Sequence, residues 1–433
     1  MSEKRDNQDY DEKRELRRQR RVRSQIIAYS VFAAILIVVI GGLFLGVKAI
    51  AGKLGDIRTQ QEEAIAQAQA EAEAAAETTI AAPEETIVEE TTTEDDMLSQ
   101  IVDACIAEMP IEDKVAGLFV ITPEQLTGVN AAVKAGSGTQ EALSKYAVGG
   151  LVYSSKNINS TDQISTMLSQ TEAMSKYPIF LAVSEEGGDF NTVADALGIA
   201  SASNAQDIGT GGTSDAAYDA GITISSYLNM YGFNLDFAPY CNLSDYTRSF
   251  NTDATVAADM ASSFAIALED TGVSACMKYF PVYADTDDGL ETTDKTLEEL
   301  REAEFIPFKE GIANGVDMIM ISNASAPQIT GDNTPCSLSS VIISDVLRTE
   351  LEYDGIIITG ELGQSAISNY YTSAEAAVMA IEAGADMLYM PENFEEAYQG
   401  LLDAVNNGEI SEERIDESLK RIYRVKYADK IDE

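Results

Sequence analysis

Several short segments place polar side chains directly after apolar, β-branched runs: Ser184-Glu185-Glu186-Gly187-Gly188, Asp236, Lys278, Ser322-Asn323 and Thr359-Gly360-Glu361. Carboxylates gathered with a lysine can do acid/base work, stabilise a developing positive charge, or grip a hydroxyl-rich ligand. Much other chemistry is excluded. The chain contains no histidine, which removes Ser-His-Asp and Cys-His catalysis and argues against an ordinary zinc site, so no metal is expected. The four cysteines, Cys105, Cys241, Cys276 and Cys336, show no CxxC spacing. Buried thiols or one incidental bridge are expected from so sparse a set, with Cys241 and Cys276 the first pair to examine. One position raises a question of its own. In "IIITGELGQSAI" (356–367) the strand-like run stops at Thr359-Gly360-Glu361, and Gly360 stands where many enzymes carry a carboxylate.

The elements that must position these groups are legible as a repeating texture from Met97 onward. Short apolar runs recur as "LFVIT" (118–122), "GGLVYS" (149–154), "IFLAVS" (179–184), "NLDFAP" (234–239), "SACMKYFP" (274–281), "MIMIS" (318–322), "GIIIT" (355–359) and "DMLYM" (386–390). Between them lie stretches of helical period such as "TLEELREAEFIPFKEGIANG" and "SAEAAVMAIEAG". Continuous apolar strands alternating with helices predict a parallel sheet covered on both faces. Eight such units over about 330 residues predict an α/β fold of the (β/α)8, TIM-like barrel type, with an open doubly wound sheet as the alternative. In a barrel, function sits where strands end and βα loops begin, so the polar strand ends converge on one candidate pocket.

Upstream of the barrel the composition changes. Residues 1–25 form a basic tail ending in "RRQRRVR", and Ile26 to Val47 is an uncharged run of 22 residues. At ~1.5 Å per residue this run is long enough to cross a bilayer. The basic flank predicts a single-pass anchor in the cell membrane, with a cytoplasmic N-terminus and an extracytoplasmic barrel. Cleavage after Ala51, as of a signal peptide, is the rival reading. Residues 48–97 read as a linker: "EEAIAQAQAEAEAAAE" favours helix, and "TTIAAPEETIVEETTTEDD" is an acidic, Pro-containing spacer. The barrel domain is expected over 98–433. With 72 acidic against 29 basic residues the net charge is -43, a surface that repels phosphate backbones and argues against nucleic-acid binding.

The blocks "MPIEDKVAGLFVI", "GGLVYSSKNI", "LAVSEEGG", "GFNLDFAP", "RSF", "KYFP", "DMIMISN", "LRTELEYDGIIIT" and "ISEERIDESLKRIYRVK" occur in this order. Together they resemble the barrel domain of glycoside hydrolase family 3, of the β-N-acetylhexosaminidase type, over roughly residues 98 to 427. The resemblance implies hydrolysis of N-acetylglucosaminides by a retaining mechanism that needs no cofactor, often in cell-wall turnover. It also implies that Asp236, Arg248, Lys278, Glu186 and Asn323 help bind the sugar or shape its pocket.

The catalytic positions depart from that pattern. The family's aspartate nucleophile follows its seventh strand in a motif like I-T-D-D-L, whereas this chain reads Ile358-Thr359-Gly360-Glu361-Leu362. A glycine can neither attack an anomeric carbon nor stabilise an oxocarbenium ion. The family's K-H-F-P-G-H-G loop, with its Asp-His general acid/base, becomes "KYFPVYADTDDGLE". Tyr279 and Tyr283 stand at histidine positions, and Gly289 and Glu291 at those of the Asp-His pair. D-x-E-G-G-R becomes Ser184-Glu185-Glu186-Gly187-Gly188-Asp189.

Three readings follow. The first is a catalytically inactive, membrane-anchored module that binds an N-acetylglucosamine-containing glycan, a peptidoglycan fragment or a protein at the cell wall. The second is an active retaining or inverting glycosidase using relocated carboxylates Glu361 and Glu291. The third is a partner-docking protein whose pocket has no role.

Overall fold

The computed structural model describes residues 94–283 and 289–428. The predicted tail (1–25), the membrane anchor (26–47) and the linker up to residue 93 lie outside the described residues, as do Asp287 and Asp288. Among the described residues no helix is long and apolar enough to cross a membrane. The first described helix, Glu94–Ala107, begins ahead of residue 98, where the barrel domain was expected to start.

Each apolar run named above contains a strand. They are β1 (Phe119–Ile121), β2 (Gly150–Val152), β3 (Phe180–Val183), β4 (Leu235–Asp236), β5 (Ser274–Phe280), β6 (Met318–Ile321), β7 (Ile356–Ile358) and β8 (Leu388–Tyr389). All neighbours pair in parallel, in the order β7-β6-β5-β4-β3-β2-β1-β8. A parallel bridge between Ile358 and Met387 joins β7 to β8 and closes the ring. The open-sheet alternative is therefore excluded. Burial on both faces explains why strands such as Phe180–Val183 and Met318–Ile321 are apolar throughout rather than alternating.

Helices between the strands start and stop where local chemistry dictates. Ser373–Ala383 opens on a capping box, Thr372 with Glu375, and closes at Gly384, whose φ of 110° suits a residue without a Cβ. The opposite end of the barrel from the polar strand ends is tied by charge. Asp386 is fully buried, accepts from Ser418 Oγ at 2.9 Å and Ile357 N at 2.9 Å, and is ion-paired to Arg348 and Arg421. That network fastens the last helix, Glu412–Tyr427, beneath β7 and β8, so the barrel's opposite rim is left to loops.

Candidate active site

The site begins at the end of β3. Two successive carboxylates in the segment just past β3 go to opposite fates. Glu185 turns away from the barrel mouth: its Oε2 accepts from Val193 N at 2.7 Å, and its Oε1 from Ala194 N at 2.9 Å and Tyr227 OH at 2.7 Å. It thereby satisfies the first amides of the short helix Val193–Leu197, a structural task. Glu186 turns toward the mouth. Arg248 clasps it through Nε to Oε2 at 2.7 Å and Nη2 to Oε1 at 2.6 Å, while Lys278 Nζ reaches Oε1 at 2.6 Å. Lys278 also donates to Ser184 Oγ at 2.8 Å. Both Glu186 (8% exposed) and Lys278 (2% exposed) are buried. Burial alone would raise the Glu186 carboxyl, but Lys278 and Arg248 outweigh it and hold it below the usual carboxylate range.

Asp236, at the end of β4, behaves oppositely. It is fully buried; its Oδ1 accepts from Glu185 N at 2.8 Å, and its Oδ2 has no hydrogen-bond partner. Burial, reinforced by the neighbouring Glu185, pushes it well above the ordinary aspartate value. Neither acid suits proton transfer to a ligand. Glu186 carries no proton to give and its oxygens are taken, and Asp236 is sealed from solvent.

At β5 the register against β6 shifts between Lys278 and Phe280, leaving Tyr279 as the extra residue of a bulge. The bulge presents Lys278 to Glu186 and brings Tyr279 beside Tyr240 and Tyr283, at centroid separations of 6.3 and 5.3 Å. Arg248 lies against this cluster, its guanidinium carbon 4.8 Å from the Tyr240 ring and 5.7 Å from the Tyr279 ring. The Phe190 ring is 5.1 Å away on the β3 loop.

The end of β7 answers the question posed by Gly360. A Cβ built there would stand 2.7 Å from Asn323 Oδ1, 2.8 Å from the Ile321 carbonyl oxygen and 2.9 Å from Asn323 Cγ. A side chain at position 360 would therefore require Asn323 or the end of β6 to shift. Asn323 is itself committed: its Nδ2 donates to Glu361 O at 2.7 Å and Gln364 Oε1 at 2.9 Å, and its Oδ1 accepts from Ser337 Oγ at 2.7 Å. It ties the β6 and β7 ends together.

The sequence-predicted residues thus divide. Glu186, Arg248 and Lys278 form one ion-paired group, with Asp236 bonded to the backbone of the adjacent Glu185. Asn323 belongs to the β6–β7 tie. Glu361 is half-buried beside the closed position, and Glu291 is exposed. Glu291's carbonyl oxygen accepts from Ser325 N at 2.8 Å, and Thr293 N donates to Ser325 O at 2.9 Å, so this end of the β5 loop is clipped to the β6 loop. All four cysteines are free, including Cys241 and Cys276, so the incidental bridge considered for them does not form. Phe190, Tyr240 and Ser184's bond to lysine were not singled out from sequence. An aromatic one residue past "EEGGD" was the available signal for Phe190.

The sequence profile described as the glycosyl hydrolase family 3 N terminal domain matches residues 111–425. Beta-hexosaminidase A of Pseudoalteromonas piscicida is 26% identical over 327 residues, covering 66% of this chain and 54% of that protein. The Beta-hexosaminidase of Idiomarina loihiensis is 28% identical over 260 residues, covering 58% of this chain and 78% of that protein. Among solved structures, a glycoside hydrolase family 3 beta-N-acetylglucosaminidase from a Paenibacillus species superposes with a TM-score of 0.70 at 29% identity, covering 75% of this chain and 64% of that one. The chain spans little more than half the length of the Pseudoalteromonas relative. With a matching profile over most of its length and the closed parallel barrel that goes with it, the chain belongs to glycosyl hydrolase family 3 and carries that family's N-terminal domain.

Proposed function

We propose that this chain is a family 3 barrel that binds an N-acetylglucosamine-containing glycan, such as a peptidoglycan fragment, without hydrolysing it. The observation that carries the reading is the closed nucleophile position: Gly360 has no room for a Cβ against the Ile321 carbonyl and Asn323. A retaining glycosidase needs a nucleophile and an acid about 5 Å apart, and an inverting one needs two carboxyls about 6.5–9.5 Å apart. The buried acids at the mouth serve other ends, Glu186 as counter-ion to Arg248 and Lys278 and Asp236 as a sealed group bonded to the Glu185 amide. The ligand class is taken from the relatives, whose names specify hexosaminidase and N-acetylglucosaminidase activity. The uncharged run 26–47 behind a basic tail supports placing the barrel outside the cell membrane, close to the wall.

The test is turnover of a chromogenic N-acetylglucosaminide by the wild-type protein and by Glu361→Gln and Glu291→Gln, with calorimetric titration of N-acetylglucosamine and muropeptide fragments alongside. Binding without turnover is expected. Robust hydrolysis lost in either variant would establish relocated carboxylates instead, and absence of both binding and turnover would leave a docking protein whose pocket has no role.

A further inference from the structure

A bulge leaves its extra residue out of the strand ladder, and on β5 that residue is Tyr279. Its main chain is satisfied by one side chain from the loop after β4. Tyr279 N donates to Asn242 Oδ1 at 2.9 Å, and Asn242 Nδ2 donates to Tyr279 O at 2.9 Å. The same stretch of chain grips Lys278, whose N donates to Pro239 O at 3.0 Å and whose O accepts from Cys241 N at 2.6 Å. The carbonyl of Asn242 serves the other cation. It accepts from Ser249 Oγ at 2.8 Å; that hydroxyl in turn accepts from Ser244 N at 3.2 Å, and Ser249 N donates to Tyr246 O at 3.0 Å. Ser249 follows Arg248 directly, as Tyr279 follows Lys278. Asn242 and Ser249 are both buried, at 3% and 1% exposure.

We propose that Asn242 is a positioning residue: it braces the β4 loop against the β5 bulge and so sets the spacing at which Arg248 and Lys278 meet Glu186. The charges require such a brace. Arg248 Nη2 and Lys278 Nζ each lie 2.6 Å from the same oxygen, Glu186 Oε1. Two cations crowded on one oxygen repel each other, so their common attraction to Glu186 does not fix the distance between them, and the main chain has to. Asn242 is placed to do this because its side chain holds the residue after one cation and its carbonyl holds the residue after the other. A bond that merely stabilised the loop would leave the pairing at Glu186 unaffected by its loss. The inference concerns how the mouth is built and stands whether or not a glycan binds there.

The experiment measures the effect of Glu186→Gln on the folding equilibrium of the full-length protein, in detergent, by denaturant titration at pH 7. It does so in three backgrounds: wild type, Asn242→Ala and Ser249→Ala. The loss caused by Glu186→Gln should be about tenfold smaller in each altered background than in wild type, because the cations are no longer held on the carboxylate. Acetic anhydride labelling of the two single variants, read by peptide mass spectrometry, supplies a local readout. Lys278 should react about tenfold faster than in wild type. Lys426, buried at the opposite end of the barrel against Phe180 and Tyr423 with its Nζ on the Gly149 carbonyl, should keep its rate. A Glu186→Gln effect within about twofold of the wild-type effect in either background overturns the brace. So does a rise of Lys278 and Lys426 together, which is the mark of a barrel loosened as a whole. Ser249→Ala cuts only the Arg248 side and leaves the bonds to β5, so it decides the matter even if Asn242→Ala fails to fold.

Discussion

Replacing Gly360 by alanine isolates the claim that the nucleophile position is closed. The new Cβ would meet the Ile321 carbonyl oxygen at 2.8 Å and Asn323 Oδ1 at 2.7 Å, where carbon–oxygen contacts normally begin near 3.3 Å. The carbonyl belongs to the end of β6 and cannot rotate away. Asn323 can move only by giving up bonds to Ser337, Glu361 and Gln364. Overpacking of this kind costs about 1–3 kcal/mol, and losing one of these three hydrogen bonds adds about 1 kcal/mol, for a total of roughly 2–4 kcal/mol. At an unfolding entropy of about 2.1 cal/mol/K per residue over about 330 residues, the melting midpoint should fall by roughly 3–6 °C. Scanning calorimetry of wild type, Gly360→Ala, Asn323→Ala and the double variant measures it. The double variant should lose less than the sum of the singles, because removing the Asn323 amide relieves part of the clash while the Ile321 carbonyl remains. A Gly360→Ala midpoint within about 1 °C of wild type, or hydrolysis of an N-acetylglucosaminide by Gly360→Asp, would refute the reasoning.

Two further substitutions probe the buried acids. Glu186→Gln leaves Arg248 and Lys278 without their counter-charge and should destabilise the barrel by about 3–5 kcal/mol in denaturant titration at pH 7. Because the Glu186 carboxyl is lowered on folding, its contribution is present above the unfolded value near 4 and is lost as pH falls through the folded value. The difference between wild type and Glu186→Gln should therefore shrink in acid, and a difference independent of pH between 3 and 7 would contradict the pairing. Asp236 has the opposite sign. Its folded form keeps a proton that the unfolded chain releases, so wild type loses stability as pH rises from about 4 toward the folded value. Asp236→Asn cannot titrate and should gain on wild type as pH increases over that window, and a gain that runs the other way would show that Asp236 is ionised in the folded protein.

How much of this was readable before the fold was known depended on the range of the interaction. The barrel was legible because its signal is local: each continuous apolar run, from "LFVIT" to "DMLYM", contains the strand it predicts. The ion-paired group at the mouth was partly legible, because Glu186 and Lys278 carry charges at or near strand ends, whereas Arg248 lies in the loop after β4. The resemblance picked them out of a chain rich in acids. Their mutual engagement was not legible, since Glu186 and Arg248 lie 62 positions apart. Nor could sequence separate Glu185 from Glu186. Adjacent and identical in type, they point to different partners, and so one caps a helix while the other neutralises two cations. Asn323 was read as a ligand contact because the resemblance places it at a position where the family's polar residue lines the sugar pocket. Its contacts with Glu361 and Gln364 lie 38 and 41 residues away and exist only once β6 and β7 are side by side.

That last pairing bears on the proposed loss of hydrolysis, which a single change at 360 would not reverse. Gly360 and Asn323 occupy one volume from two strands: the absent side chain at 360 is what lets Asn323 lie across the β6–β7 gap and bond both loops. An aspartate restored at 360 collides with the asparagine and with the β6 backbone. Removing the asparagine instead unties Glu361, Gln364 and Ser337 without creating a nucleophile. The two positions are therefore coupled, and on the proposed reading a single substitution at either one should lower stability without conferring hydrolysis. The same coupling places Glu361 in a fixed role. Its carbonyl is held by Asn323, so the main chain at this point cannot swing to bring the Glu361 carboxylate into the position that Gly360 vacates unless the tie breaks first. Asn323→Ala, which breaks it, is consequently the variant in which any latent chemistry of Glu361 should surface. No turnover of N-acetylglucosaminides by this variant, with glycan binding retained, is the outcome expected on the proposed reading.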